Sequence, residues 1–363
     1  MVKKMRKHGG NIEAAAQKYN LEIDEIIDFS ANINFLGPPK VVKEEIKDNL
    51  DRIIHYPESG ARTFSYNLAE YLNINSENLI IGNGAVEIIY LITKVIQAER
   101  AMVLAPTFSE YEAAIESAGG EIELFKLDRE QGFKLDIDRL VKKLKQVDID
   151  LLFLCNPNNP TGDLVEKEKL KQVLQLAKEE NIFVVLDEAF LDFLLEEDEH
   201  TLIKEAVKRE NLLVLRSMTK FFAIPGLRIG YGITNQQLIA KLKASKDPWN
   251  INLFAQKVGI KVLKEADYIQ RTKEVLKREK IFLYQQLKEM DYLKPYSPTV
   301  NYILIDISDS NYSSQELERE LAKRGILIRD CSTYHLLGKD FIRVAVKSRK
   351  DNKVLINKLK ELL

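Results

Sequence analysis

Four short apolar runs constrain the fold of this chain more than any other feature. AMVLAP (from Ala101), IDLLFLC (from Ile149), NIFVVLD (from Asn181) and NLLVLRS (from Asn211) are bounded by turn residues and lack the alternation of half-exposed strands. Between them, SEYEAAIESAG, EKEKLKQVLQLAKEE and TLIKEAVKRE carry apolar residues every three or four positions, as amphipathic helices do. Strands buried on both faces and separated by helices predict an α/β fold, a mostly parallel sheet with helices on both sides. In such sheets ligands gather at the carboxyl ends of the strands, so the polar residues ending these runs are the ones to inspect.

The chain has 363 residues, about two domains' worth. After Pro248 the pattern changes to a charged, helix-favouring stretch from Asn252 to Met290 that reads as one helix. NYILIDI, a helix from Ser313, GILIRD, FIRVAVK and a terminal helix from Asp351 follow. The expected division is an N-terminal arm (1–35), a large α/β domain (36–250) and a small α+β domain (251–363). Lys+Arg 54 against Asp+Glu 55 removes the electrostatic case for a nucleic-acid or anionic-membrane partner. The longest apolar stretches are too short to span a bilayer, and Cys155 and Cys331 cannot make a disulfide framework. A soluble cytoplasmic protein is expected. The four histidines show no ligand spacing, so no metal is expected, and the acidic run LLEEDEH reads as a solvated loop.

Three consecutive strand ends carry unusual polar residues: CNPNNPTG (from Cys155), DEAF (from Asp187) and RSMTK (from Arg216). Alone, Asp187 reads equally as a helix N-cap and Lys220 as a surface lysine. Together they suggest an acid and an amine facing one cofactor. A lysine can form a Schiff base with an aldehyde, and a carboxylate can keep a pyridine nitrogen protonated. Gly82-Asn83-Gly84-Ala85 can open a helix whose amides point at an anion, and Ser217, Thr219 and Arg228 add hydroxyls and a positive charge. The third glycine of a dinucleotide fingerprint is missing.

The ordered blocks GNGA, PTFSEY, NPNNPTG, LDEAF, SMTK and PGLRIG resemble the fold-type I pyridoxal-phosphate enzymes, close to histidinol-phosphate aminotransferase. The resemblance spans the whole chain. It implies pyridoxal 5'-phosphate as cofactor, Lys220 as its Schiff-base lysine and Asp187 as partner of the ring nitrogen. It implies Asn159 at the ring hydroxyl, Phe108 stacked on the ring, and Ser217, Thr219, Arg228, Gly84 and Ala85 around the phosphate. Tyr56 resembles the residue that reaches the phosphate from a second subunit, which implies a homodimer. One position departs: three residues after the aspartate, where aminotransferases carry tyrosine, stands Phe190.

His8-Gly9-Gly10-Asn11, DFSANINFLGPP (from Asp28), LDEAF and LRSMTKFFAIPGLRIGY together resemble the threonine-phosphate decarboxylases of the cobalamin pathway. ILIRD and FIRVA match further blocks of that family and supply Arg329 and Arg343. The resemblance implies a phosphorylated amino-acid substrate contacted by His8, Gly9, Asn32, Asn159, Arg329 and Arg343. The implied reaction is decarboxylation of O-phospho-L-threonine; the alternative is transamination of histidinol phosphate.

Overall fold

The computed structural model of the protein describes residues 9–363. Its thirteen strands are β1 (Ile27–Asp28), β2 (Leu79–Gly82), β3 (Arg100–Ala105), β4 (Glu121–Lys126), β5 (Leu151–Cys155), β6 (Phe183–Asp187) and β7 (Leu212–Ser217), then β8 (Gly230–Ile233), β9 (Lys294–Pro295), β10 (Tyr302–Asp306), β11 (Ile326–Leu327), β12 (Arg329–Asp330) and β13 (Phe341–Ala345). Seven form the central sheet in the order β2-β8-β7-β6-β5-β3-β4. β3 to β7 run parallel, and only β8 opposes its neighbours β2 and β7. The four apolar runs become β3, β5, β6 and β7, buried almost throughout. Helices cover both faces, as double-sided burial requires. Because β5, β6 and β7 are parallel neighbours, their carboxyl ends lie side by side.

A second, antiparallel sheet follows in the order β12-β13-β10-β9. The arm is tied to this part of the chain: β1 pairs in parallel with β11. Phe29 extends the tie, its carbonyl accepting from the Ala345 amide at 2.8 Å.

Four sequence expectations need correction. The stretch from Asn252 to Met290 is two helices, Leu253–Val262 and Ala266–Lys288. The break has no glycine or proline; Lys264 and Glu265 close it with hydrogen bonds back to Lys261 and Val262. GILIRD is not one strand but β11 and β12, in different sheets, joined at Ile328. TLIKEAVKRE keeps a single helical turn, Ile203–Ala206. The acidic run contains a turn of helix, and Glu197 there accepts from Lys273 at 2.7 Å.

Candidate active site

β6 runs straight into Asp187, whose Cα partners are Cys155 on β5 and Leu215 on β7. A carboxylate at 5% exposure needs donors, and it has two. The Ala189 amide donates to Oδ1 at 2.9 Å, and the Tyr111 hydroxyl to Oδ2 at 2.7 Å. Tyr111 comes from the helix Glu110–Ser117 and stacks on Phe153 with ring centroids 4.9 Å apart. Burial raises the Asp187 pKa; the Tyr111 hydroxyl and the Lys220 charge oppose it. Burial also drives the Tyr111 hydroxyl well above its ordinary range, so Tyr111 is the donor of the pair.

Lys220 lies in the short helical turn Met218–Phe221 directly after β7. Its Nζ donates to Ser217 Oγ at 3.0 Å, and Ser217 Oγ shares a 2.8 Å hydrogen bond with Thr219 Oγ1. Burial lowers the Lys220 pKa, with Asp187 opposing and Arg228 adding to the effect, so the neutral amine is more accessible than in water. The Phe190 ring centroid is 5.6 Å from Nζ, and that ring meets Tyr302 edge-on at 5.1 Å. The arm also reaches this turn: the Asn34 amide donates to the Lys220 carbonyl at 3.0 Å.

Beyond β2 the chain turns at Gly84, the N-cap of the helix Ala85–Ile96, where no side chain caps the amides. Gly84 has φ +80°, and a Cβ there would stand 2.4 Å from Nη2 of Arg228. Only glycine lets the guanidinium settle onto this turn. Helix amides beneath a guanidinium form an anion site.

Arg329 and Arg343 face each other as Cα partners on β12 and β13, each 5% exposed. Neither forms a salt bridge with a carboxylate among the described residues. Arg343 donates to Asn159 Oδ1 and, at 2.8 Å, to the Ser30 carbonyl; its Nε has no partner. Arg329 donates to Thr333 Oγ1 at 2.9 Å and lies over the Tyr334 ring. Asn32 is buried with Oδ1 unpartnered, while its carbonyl accepts from Asn301 Nδ2 at 2.9 Å. Two buried cations with open hydrogen-bonding capacity beside them call for an anionic guest.

Gly9 presses on the same turn: a Cβ there would fall 2.3 Å from the Ser30 carbonyl oxygen, and the Gly10 amide donates to Ser30 Oγ at 2.8 Å. His8 lies outside the described residues. Phe108 is half-buried and edge-on to Tyr111 at 5.6 Å, which puts it beside the partner of Asp187. Tyr56 stands apart, 82% exposed and leaning on Trp249 at 5.0 Å. Sequence reasoning missed Tyr111, although it sits in the PTFSEY block, and Asn158, which accepts from Thr107 Oγ1 at 2.7 Å. Ser30 and Asn301 were also unmarked, since neither ends a recognisable strand.

A half-buried amine, a buried carboxylate on the neighbouring strand and a glycine-floored anion site match an aldehyde, a pyridine nitrogen and a phosphate. These residues fit pyridoxal 5'-phosphate. Among the described residues no helix is long and apolar enough to cross a membrane.

The chain is 36% identical over 357 residues to the threonine-phosphate decarboxylase of Salmonella typhimurium, covering 98% of this chain and 96% of that one. The crystal structure of the histidinol-phosphate aminotransferase from Clostridium acetobutylicum superposes with a TM-score of 0.84 at 34% identity, covering 92% of this chain and 98% of that chain. The enzyme of the same name from Sinorhizobium meliloti, solved in complex with pyridoxal 5'-phosphate, shares the fold at 19% identity with a TM-score of 0.86, covering 97% and 94%. Residues 24–359 match the family described as aminotransferase class I and II, whose cofactor is pyridoxal phosphate, and the chain belongs to that family.

Proposed function

We propose that this protein is a pyridoxal-phosphate-dependent decarboxylase that converts O-phospho-L-threonine to (R)-1-amino-2-propanol O-2-phosphate and CO2, a step of cobalamin biosynthesis. The observation that carries the reading is the pair of buried arginines, Arg329 and Arg343, facing each other across β12 and β13 without a salt bridge among the described residues. Phosphothreonine brings two anionic groups, a carboxylate and a phosphate, whereas histidinol phosphate brings one. Each charge-assisted hydrogen bond is worth about 1.5–3 kcal/mol, enough to fix how the substrate lies.

Bound pyridoxal phosphate supplies an electron sink for the pair released when a bond to the substrate's α-carbon breaks. The rest falls to the chain. Lys220 Nζ holds the cofactor between turnovers and, with its pKa lowered by burial, can deliver the proton that replaces CO2 on the α-carbon. The Asp187 carboxylate, held by the Tyr111 hydroxyl, would partner the ring nitrogen and keep its proton in place. Gly84, Ala85, Ser217, Thr219 and Arg228 would hold the cofactor phosphate, Asn159 the ring hydroxyl, and Phe108 the ring itself. Arg343, Arg329, Asn32, Gly9 and His8 would orient the substrate by its two anionic groups, and that orientation would favour loss of the carboxylate. Phe190 presents no hydroxyl to the ring oxygen, and this departure from the aminotransferases favours decarboxylation.

The reading includes a cytoplasmic homodimer in which Tyr56 reaches the partner's cofactor phosphate. Leu50, Ile53, Ile54, Tyr56 and Trp249, each about half exposed or more, form an apolar surface that supports it. It also divides the chain into the arm (1–35), a large domain (36–250) and a small one (251–363). Transamination of histidinol phosphate is the second reading, favoured by the similarity to the Clostridium acetobutylicum enzyme. Parallel incubations with phosphothreonine, phosphoserine and histidinol phosphate, with and without 2-oxoglutarate, separate the two. CO2 release from phosphothreonine without a keto acid is expected; turnover only with 2-oxoglutarate rejects the decarboxylase.

A further inference from the structure

Behind Asp187 and Lys220, on the opposite face of the sheet, lies a group of charges, two of them buried, that the chemistry above does not use. Glu188 follows Asp187 and Arg216 precedes Ser217, so strand alternation turns both away from the cofactor side. They are 1% and 2% exposed. Arg216 Nε donates to Glu188 Oε2 at 3.0 Å, and Arg216 Nη1 to Asp192 Oδ1 at 2.8 Å. The Thr201 hydroxyl and the Leu202 amide complete the Glu188 carboxylate at 2.7 and 2.8 Å. Burial pushes the Glu188 carboxyl up, and the Arg216 charge with the Thr201 and Leu202 donors opposes that rise. Arg216 also faces Tyr231, its Cα partner on β8.

A buried ion group of this kind is a weak source of stability, because desolvation offsets most of the attraction. Its connections point to another use. Glu188 ends the strand that carries Asp187, and Arg216 is one residue from Ser217 and four from Lys220. Asp192 belongs to the turn Leu191–Phe193, directly after Phe190, whose ring stands 5.6 Å from the Lys220 amine. One planar guanidinium thus joins the three segments that present Asp187, Lys220 and Phe190.

We propose that Arg216, with Glu188 and Asp192, is a positioning element that sets the alignment of the Lys220 amine against Asp187 and the cofactor ring. The proposal rests on the site roles given to Lys220 and Asp187, not on the choice of substrate. A lysine at 216 keeps the charge but lacks the fork that spans two carboxylates.

The test uses the full chain loaded with pyridoxal phosphate. The triple variant Glu188→Met/Asp192→Leu/Arg216→Met removes all three charges while keeping apolar bulk, and Asp192→Asn releases only the Phe190 turn. Three quantities are read: thermal unfolding of the apoenzyme, the pH midpoint of the bound cofactor's visible absorbance, and kcat separately from KM. The expected result for the triple variant is a folded protein whose absorbance midpoint moves by at least about half a pH unit. Its kcat falls about tenfold or more, with KM within about twofold, as lost alignment requires. Arg216→Lys reproduces that pattern. Wild-type absorbance and kcat in the triple variant overturn the proposal, as does a loss of thermal stability with the cofactor signal unmoved. If the triple variant does not fold, Asp192→Asn decides on the same two readouts. Wild-type protein serves as the control: failure of pyridoxal phosphate to bind it, or binding unaffected by Lys220→Ala, defeats the site assignment and with it the positioning role, whereas normal wild-type binding with an unchanged triple variant defeats the positioning role alone.

Discussion

Replacing Tyr111 by phenylalanine removes one hydroxyl and little else. The ring keeps its stack on Phe153 at 4.9 Å, while Asp187 Oδ2 loses a 2.7 Å donor in a site closed to water. A hydrogen bond to a charged group is worth about 1.5–3 kcal/mol. At about 1.36 kcal/mol per pKa unit, Asp187 moves up by about 1–2 units, beyond the rise that burial already imposes. In its proposed role Asp187 must be ionised to hold the proton on the ring nitrogen, so activity should be lost as pH falls through its pKa. The acid limb of kcat/KM for CO2 release should therefore shift to higher pH by about 1–2 units in Tyr111→Phe. Above that limb the variant should recover most of the wild-type rate. An equal loss at every pH refutes the reasoning, because it shows that the hydroxyl acts on packing alone; an unmoved profile at full rate refutes it as well.

Phe190→Tyr returns a hydroxyl to the position where aminotransferases have one, and a single new hydrogen bond of about 1 kcal/mol should raise 2-oxoglutarate formation from glutamate about fivefold. Gly84→Ala forces a side chain into φ +80° and against the Arg228 guanidinium. Strain of about 1–3 kcal/mol should weaken pyridoxal phosphate binding roughly 5- to 150-fold, read by titrating the apoenzyme. Partial desolvation lowers the Lys220 pKa from 10.5, so the unfolded chain takes up a proton that the folded apoenzyme resists. Wild-type stability consequently rises with pH through that window. Lys220→Met apoenzyme should be more stable than wild type in urea near neutral pH, and the difference should vanish above 10.5.

What was legible in the sequence follows from burial. β3, β5, β6 and β7 are apolar on both faces, so each reads as a run without needing its partners. β4 and β8 escaped for different reasons. EIELFK mixes charges into a partly exposed strand, and GYGI hides one behind two glycines. Gly230 is there because a Cβ would strike the Ala85 amide at 2.5 Å, a constraint visible only in three dimensions. Lys220, Asp187 and Gly84 stood out because charge or glycine ends an apolar strand. Arg216 could not be singled out, since its partners lie 28 and 24 residues upstream. The helix break at Leu263–Glu265 carries no glycine or proline, so nothing in the sequence marks it.

The pairing of β1 with β11 ties residues 27–28 to 326–327. A ribosome adding about 5–20 residues per second needs roughly 15–60 seconds to span that interval. Throughout, the segment that supplies Asn32 and Asn34 has no strand to join, and β12 and β13, with both arginines, are not yet made. Translation cut short before that pairing yields a chain that has Lys220 and Asp187 but lacks both arginines of the proposed substrate site.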